Sequence, residues 1–124
     1  MTRDELIARA DEAARAAYAP YSNYLVGAVV LLKDGRVYAG CNVENAAYPL
    51  GVCAERTAIS KAASEGVRPG DIDAVAITAS PCGGCRQWLA EMGVERVVFR
   101  NGGRIVRMTV DELLPEQFDA GDLA

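Results

Sequence analysis

Residues 72–108 read IDAVAITASPCGGCRQWLAEMGVERVVFRNGGRIVRM, and this stretch decides the fold. Ile72 to Thr78 is a short apolar run of the kind shown by a strand buried on both faces. Pro81-Cys82-Gly83-Gly84-Cys85 opens a helix that runs to about Met92 and stops at Gly93. Arg96–Arg100 and Arg104–Met108 are strands separated only by Asn101-Gly102-Gly103. So short a link cannot make a parallel crossover, so these two strands run antiparallel.

The pattern extends in both directions. Thr2-Arg3-Asp4-Glu5 has capping-box form, and Leu6, Ala10, Ala13, Ala14 and Ala17 follow at helical spacing, predicting a helix that ends before Pro20. Val26–Leu32 and Val37–Val43 are β-branched runs around Asp34-Gly35, which reads as a hairpin. After a loop through Pro49 and Gly51, Cys53–Glu65 reads as a helix stopped by Gly66. Thr109-Val110-Asp111-Glu112 repeats the capping-box pattern before a short helix stopped by Pro115. The order α-β-β-α-β-α-β-β-α predicts an α/β fold: one five-stranded mixed sheet with an antiparallel C-terminal hairpin, helices on both faces, and a single domain over residues 1–124.

Composition narrows the chemistry. The 124 residues suffice for one core, and 51% hydrophobic with 24% charged residues is an ordinary globular balance. There is no histidine, which removes Ser-His-Asp and Cys-His catalysis and any imidazole acid or base. With 13 basic and 17 acidic residues the net charge is −4, which argues against a nucleic-acid partner. Arg96, Arg100, Arg104 and Arg107 gather near the C-terminus and read as a solvated sheet edge. No apolar run has membrane-spanning length, and Met1-Thr2-Arg3-Asp4-Glu5 is not a signal peptide. A cytoplasmic location, with the cysteines reduced, is therefore expected.

Cys82-x-x-Cys85 at a helix start suits a redox pair, half of a metal site or a structural turn. Cys53-Ala54-Glu55, roughly thirty residues earlier, also stands at a helix start. Two helices that follow neighbouring strands begin at one sheet edge, so Cys53, Cys82 and Cys85 are expected to converge. Helix N-termini favour thiolates. Three thiolates without a fourth Cys or His at suitable spacing describe an open zinc site, one per chain, with a tetrahedral position left for water. Glu55 is near enough to address that water without being a ligand. Cys41 reads as a small buried apolar residue rather than a fourth ligand.

Cys-x-Glu paired with Pro-Cys-x-x-Cys matches the signature of zinc deaminases. Ala19-Pro20-Tyr21-Ser22, Gly40-Cys41-Asn42-Val43-Glu44-Asn45, Cys53-Ala54-Glu55-Arg56, Pro81-Cys82-Gly83-Gly84-Cys85-Arg86-Gln87 and Glu112-Leu113-Leu114-Pro115 together resemble the short, three-cysteine, zinc-dependent cytidine deaminases. The resemblance runs through nearly the whole chain in order. It implies that Cys53, Cys82 and Cys85 bind zinc, that Glu55 shuttles protons, and that Asn42 and Glu44 hold the ribose 3′-hydroxyl from one strand face. It further implies that the Ala54 N–H meets the pyrimidine carbonyl, that the Ser80 carbonyl faces the departing amine, and that Arg56 donates to a ligand sulfur. The resemblance places Tyr24 against the base, where the family commonly has Phe, and the segment before Pro81 is shorter than is usual in the family. The family is usually homotetrameric, which implies that Tyr48 and Phe118 complete the sites of neighbouring subunits.

The expected activity is hydrolytic deamination of cytidine and deoxycytidine in pyrimidine salvage. A modified cytosine nucleoside, such as an aminonucleoside antibiotic, is the alternative substrate within the class. Outside it stand a dithiol redox protein built on Cys82 and Cys85, and a structural metal module that adds Cys41 as a fourth ligand.

Overall fold

The computed structural model describes residues 1–124. In chain order the elements are α1 (Arg3–Ala14), β1 (Gly27–Leu32), β2 (Val37–Cys41), a 3₁₀ turn (Tyr48–Leu50), α2 (Ala54–Ser64), β3 (Ile72–Ile77), α3 (Gly83–Glu91), β4 (Arg96–Asn101), β5 (Arg104–Met108), α4 (Val110–Leu113) and a terminal 3₁₀ turn (Ala120–Leu123). The strands form one sheet in the order β2-β1-β3-β4-β5. Only β3 and β4 are parallel; β1 is antiparallel to both β2 and β3, and β4 to β5. The C-terminal hairpin closes with Asn101 opposite Arg104, as its short link requires.

Alternation along the strands divides the interior into two layers. Leu6, Ile7 and Ala10 of α1 pack on Val29, Leu31, Ala74, Ala76 and Val98. Ala28, Val30, Val75, Ile77 and Val97 face the other way, against Ala54, Ala58, Ile59 and Ala62 of α2, Leu89 of α3 and Leu113 of α4. The result is the expected three-layer α/β/α arrangement. β1 is buried along its whole length because helices cover it on both faces.

Several local readings change. α1 stops at Ala14, well short of Pro20, because the chain tightens through i→i+3 bonds and Tyr18 is then drawn into the sheet margin. Tyr18 N–H donates to the Asn42 carbonyl at 3.0 Å, and Glu44 N–H donates to the Tyr18 carbonyl at 2.8 Å. β2 accordingly ends at Cys41, and Val43 bridges Tyr18 and Val52 instead of continuing the hairpin. The strands preceding α2 and α3 are not neighbours, since β1 lies between β2 and β3. Both are antiparallel to β1, so they still end at the same sheet edge. Cys41 is half-exposed, not buried: it shares the α1 side with its cross-strand partner Gly27, and α1 ends too soon to cover it.

Only half of the arginine group lies on the sheet edge, because Arg96 and Arg100 belong to the inner strand β4. Arg96 pairs with Asp73 at 3.4 Å and Arg100 with Asp11 at 2.5 Å, while Arg104 and Arg107 are exposed on the outer strand β5. No helix is long and apolar enough to cross a membrane.

Candidate active site

Cys53 is the N-cap of α2 and Cys82 the N-cap of α3, with Cys85 at the third residue of α3. The Sγ atoms of Cys53, Cys82 and Cys85 lie within 4.8 Å of one another. A tetrahedral ion with metal–sulfur bonds of about 2.3 Å places sulfurs about 3.8 Å apart, so this trio is preformed for one. Cys41 is outside the cluster, which leaves the four-ligand reading without its fourth donor.

The electrostatics also favour a cation. Burial pushes the Cys85 thiol far up, and the charges of Glu55 and Cys53 push in the same direction. Burial also raises the Cys82 thiol, but the nearby amides of Cys85 and Gly84 and the thiols of Cys85 and Cys53 outweigh it, so its net shift is downward. Three adjacent thiols resist joint ionisation, and a divalent cation reverses that preference. Arg56 Nη2 donates to Cys53 Sγ at 3.7 Å, and its Nε is buried without a partner. This guanidinium offsets part of the negative charge that three thiolates bring.

Glu55, only 3% exposed, is the sole charged residue in the buried interior. Burial raises its pKa above the ordinary carboxylate range, against opposing pulls from its own backbone amide, the Cys85 thiol and Arg56. An upward shift makes the carboxylate a readier proton acceptor, which suits a group that takes up and returns protons.

Cys53 and Cys82 open onto a cavity of about 250 Å³ whose wall also includes Ser22, Tyr24, Val26, Asn42, Glu44, Ala54, Glu55, Ile77, Ala79 and Ser80, with Cys85 buried behind it. Tyr24, Asn42, Glu44, Ala54, Ser80 and Glu55 thus meet around one space. Asn42 and Glu44 do face the same way, although from the extended segment beyond β2 rather than from within it. Glu44 sits below the usual glutamate pKa because the Ser22 hydroxyl and the Ser22 and Tyr21 amides donate to it. The cavity wall has no lysine or arginine.

Tyr48 and Phe118 do not reach this cavity. Tyr48 is 74% exposed, with its ring edge-on to Tyr21 at 5.9 Å, and lines an adjoining cavity of about 360 Å³ with Tyr21, Ser22, Glu44, Asn45 and Gly51. Phe118 is 59% exposed, its carbonyl accepting from Gln87 Nε2 at 2.7 Å. Two site features were not assigned from the sequence. Ser22 is one, although it closes the Ala-Pro-Tyr-Ser run. Arg86 is the other: its Nε donates to the Pro81 carbonyl and its Nη1 to the Leu113 carbonyl, both at 2.9 Å, pinning the loop before Cys82 to the end of α4.

Residues 1–101 match the family model of the cytidine and deoxycytidylate deaminase zinc-binding region. The chain belongs to this family. It is 48% identical to the cytidine deaminase of Halalkalibacterium halodurans, over 99% of this chain and 98% of that protein. It is 46% identical to the cytidine deaminase of Sporosarcina psychrophila, over 100% of this chain and 96% of that one. The crystal structure of cytidine deaminase from Burkholderia pseudomallei superposes with a TM-score of 0.88 at 43% identity, covering 95% of this chain and 100% of that chain. Membership makes the chain a zinc-dependent hydrolytic deaminase, and its cysteine trio suits that metal.

Proposed function

We propose that this chain deaminates cytidine and deoxycytidine to uridine and deoxyuridine, releasing ammonia, as a cytoplasmic pyrimidine-salvage enzyme whose catalytic unit spans residues 1–124. The observation that carries the reading is the meeting of Glu55 and the cysteine trio with Asn42, Glu44 and Tyr24 around one cavity. Zinc held by Cys53, Cys82 and Cys85 supplies Lewis acidity that brings the pKa of a water toward neutrality.

Glu55 accepts a proton from the attacking water and delivers it to ring N3. The water oxygen bonds to C4, and Glu55 transfers the second proton to the amine as the C4–N bond breaks. Its buried position keeps bulk water from competing for these protons. The Ala54 N–H, in the first turn of α2 where no helical acceptor exists for it, receives the pyrimidine carbonyl. The Ser80 carbonyl accepts from the leaving amine, Asn42 and Glu44 hold the ribose, and the Tyr24 ring packs on the base. A wall without basic side chains suits a nucleoside rather than its phosphate. The exposed Tyr48 and Phe118 support a homotetramer in which they complete neighbouring sites.

A coupled ammonia assay over cytidine, deoxycytidine, deoxycytidine monophosphate and an aminonucleoside antibiotic tests this. Turnover of the two plain nucleosides above the others is the expected result. Preference for the monophosphate or the antibiotic overturns the substrate assignment.

A further inference from the structure

Glu44 is held by a single loop. Its Oε1 accepts the Tyr21 N–H at 3.0 Å and the Ser22 N–H at 3.1 Å, while its Oε2 accepts the Ser22 hydroxyl. The same Ser22 oxygen accepts the Tyr24 N–H at 3.0 Å. Asn42 secures the far end of the loop: its Oδ1 accepts the Val26 N–H at 2.8 Å and its Nδ2 donates to the Tyr24 carbonyl at 2.9 Å. Between Ser22 and Tyr24, Asn23 adopts φ 58°, a left-handed conformation that asparagine tolerates better than most residues.

A carboxylate oxygen has about two acceptor positions. On Oε1 both are filled by backbone amides. On Oε2 one is filled by Ser22, so a ligand hydroxyl has a single free direction, beside Ser22 Oγ. We propose that Ser22 is a positioning residue for sugar recognition: its hydroxyl orients Glu44 Oε2 toward the ribose 3′-hydroxyl. This rests on the reading of Glu44 as the ribose contact. The hydrogen bonds also favour the carboxylate over its protonated form, which keeps Glu44 an acceptor.

The test compares cytidine with 3′-deoxycytidine in the zinc-loaded wild type, Ser22→Ala and Ser22→Thr. Loss of a hydrogen bond to a charged group predicts that Ser22→Ala raises KM for cytidine by about tenfold, with kcat within about twofold. KM for 3′-deoxycytidine stays at its wild-type value, because that substrate lacks the hydroxyl being oriented. Ser22→Thr keeps a hydroxyl and returns KM for cytidine toward wild type. Equal increases on both substrates, or no increase on either, overturn the proposal, since a merely loosened loop would not distinguish them. A wild type that handles both nucleosides alike removes the Glu44 reading itself, and Ser22 with it. Zinc content and circular dichroism of each variant establish that the protein compared is folded and loaded.

Discussion

Adding one methyl group at Gly40 should inactivate the enzyme from the far side of a helix. Gly40 lies on β2 facing α2, and a Cβ there would sit 2.5 Å from Ala58 N, 2.9 Å from the Ala54 carbonyl oxygen and 2.9 Å from Ala58 Cα. All three are backbone atoms, so trimming a side chain relieves nothing. Regaining contact near 3.4 Å from a starting 2.5 Å requires α2 to move by about 0.9 Å. That helix is capped by Cys53 and carries Ala54 and Glu55, so the displacement reaches a member of the cysteine trio and the proposed proton carrier together. Overpacking of this kind costs about 1–3 kcal/mol, and a misplacement near 1 Å can cost about a hundredfold in rate. Gly40→Ala is therefore expected to lower the melting temperature by roughly 4–12 °C, at about 4 °C per kcal/mol for a chain of this length. kcat should fall by about a hundredfold. Gly103→Ala is the control, since nothing lies within 4 Å of its Cβ position. Melting curves, zinc content and kcat on saturating cytidine measure the effect. A Gly40→Ala enzyme matching Gly103→Ala in both kcat and melting temperature would refute the argument that this close approach positions the site.

The remaining predictions concern the metal, the proton carrier, the assembly and acid stability. Changing Cys53, Cys82 or Cys85 to Ser should sharply lower zinc content, whereas Cys41→Ser should leave it intact; metal analysis showing equal loss for all four contradicts the open site. Glu55→Gln keeps the volume but cannot carry protons, so kcat should fall by at least about 10²–10⁴-fold with zinc retained, and a variant keeping a tenth of wild-type kcat excludes the role. Phe118→Ala should raise KM for nucleosides without loss of zinc, and a fully active monomer in light scattering refutes the shared-site arrangement. Glu112 closes a full capping box with Thr109, whose amide and then hydroxyl hold its pKa below the usual glutamate value. A depressed folded pKa gives stability that is present above the unfolded value of about 4.3 and lost as pH falls through the folded one. The melting-temperature deficit of Glu112→Ala should therefore be full at neutral pH and vanish in acid; a deficit unchanged by pH contradicts the ionic contribution.

The parts of this molecule legible in its sequence are those that local chemistry dictates. Cys53 with Glu55, and Cys82 with Cys85, lie within one helical turn of each other, so a helix start places each pair whatever the rest of the chain does. The β4–β5 pairing was forced by the shortness of its link. Strand order was not legible, because nothing in β2 or β3 states that β1 separates them. The sulfurs converge all the same, since two strands antiparallel to a common neighbour end at one edge. α1 ends before Pro20 as its sequence predicts, but already at Ala14, ahead of Ala17, and that was not legible because Tyr18 gains sheet partners, Asn42 and Glu44, more than twenty residues away. The hold of Ser22 on Glu44 spans a separation of 22 residues and has no periodic signature. Tyr48 and Phe118 stand exposed outside the site cavity, and only the proposed homotetramer gives their rings a site to complete.

This division has a physical cause. Metal binding and proton transfer require atoms a few ångströms apart in fixed directions, and adjacent residues on one helix supply that most reliably. Sugar recognition requires a wall shaped to something larger than a helical turn, and the wall proposed for it is built by two distant loops bonding to each other. The hydrogen bonds that shape the wall join the Ser22 and Glu44 side chains and tie the Asn42 side chain to Tyr24 and Val26, while the backbones of the same Asn42 and Glu44 bond to Tyr18 and draw it into the sheet margin beyond α1. Changes in substrate preference should therefore arise at Ser22, Asn23 and Tyr24 more readily than at the cysteines, because the loop can alter the wall without moving the helix starts that hold the metal.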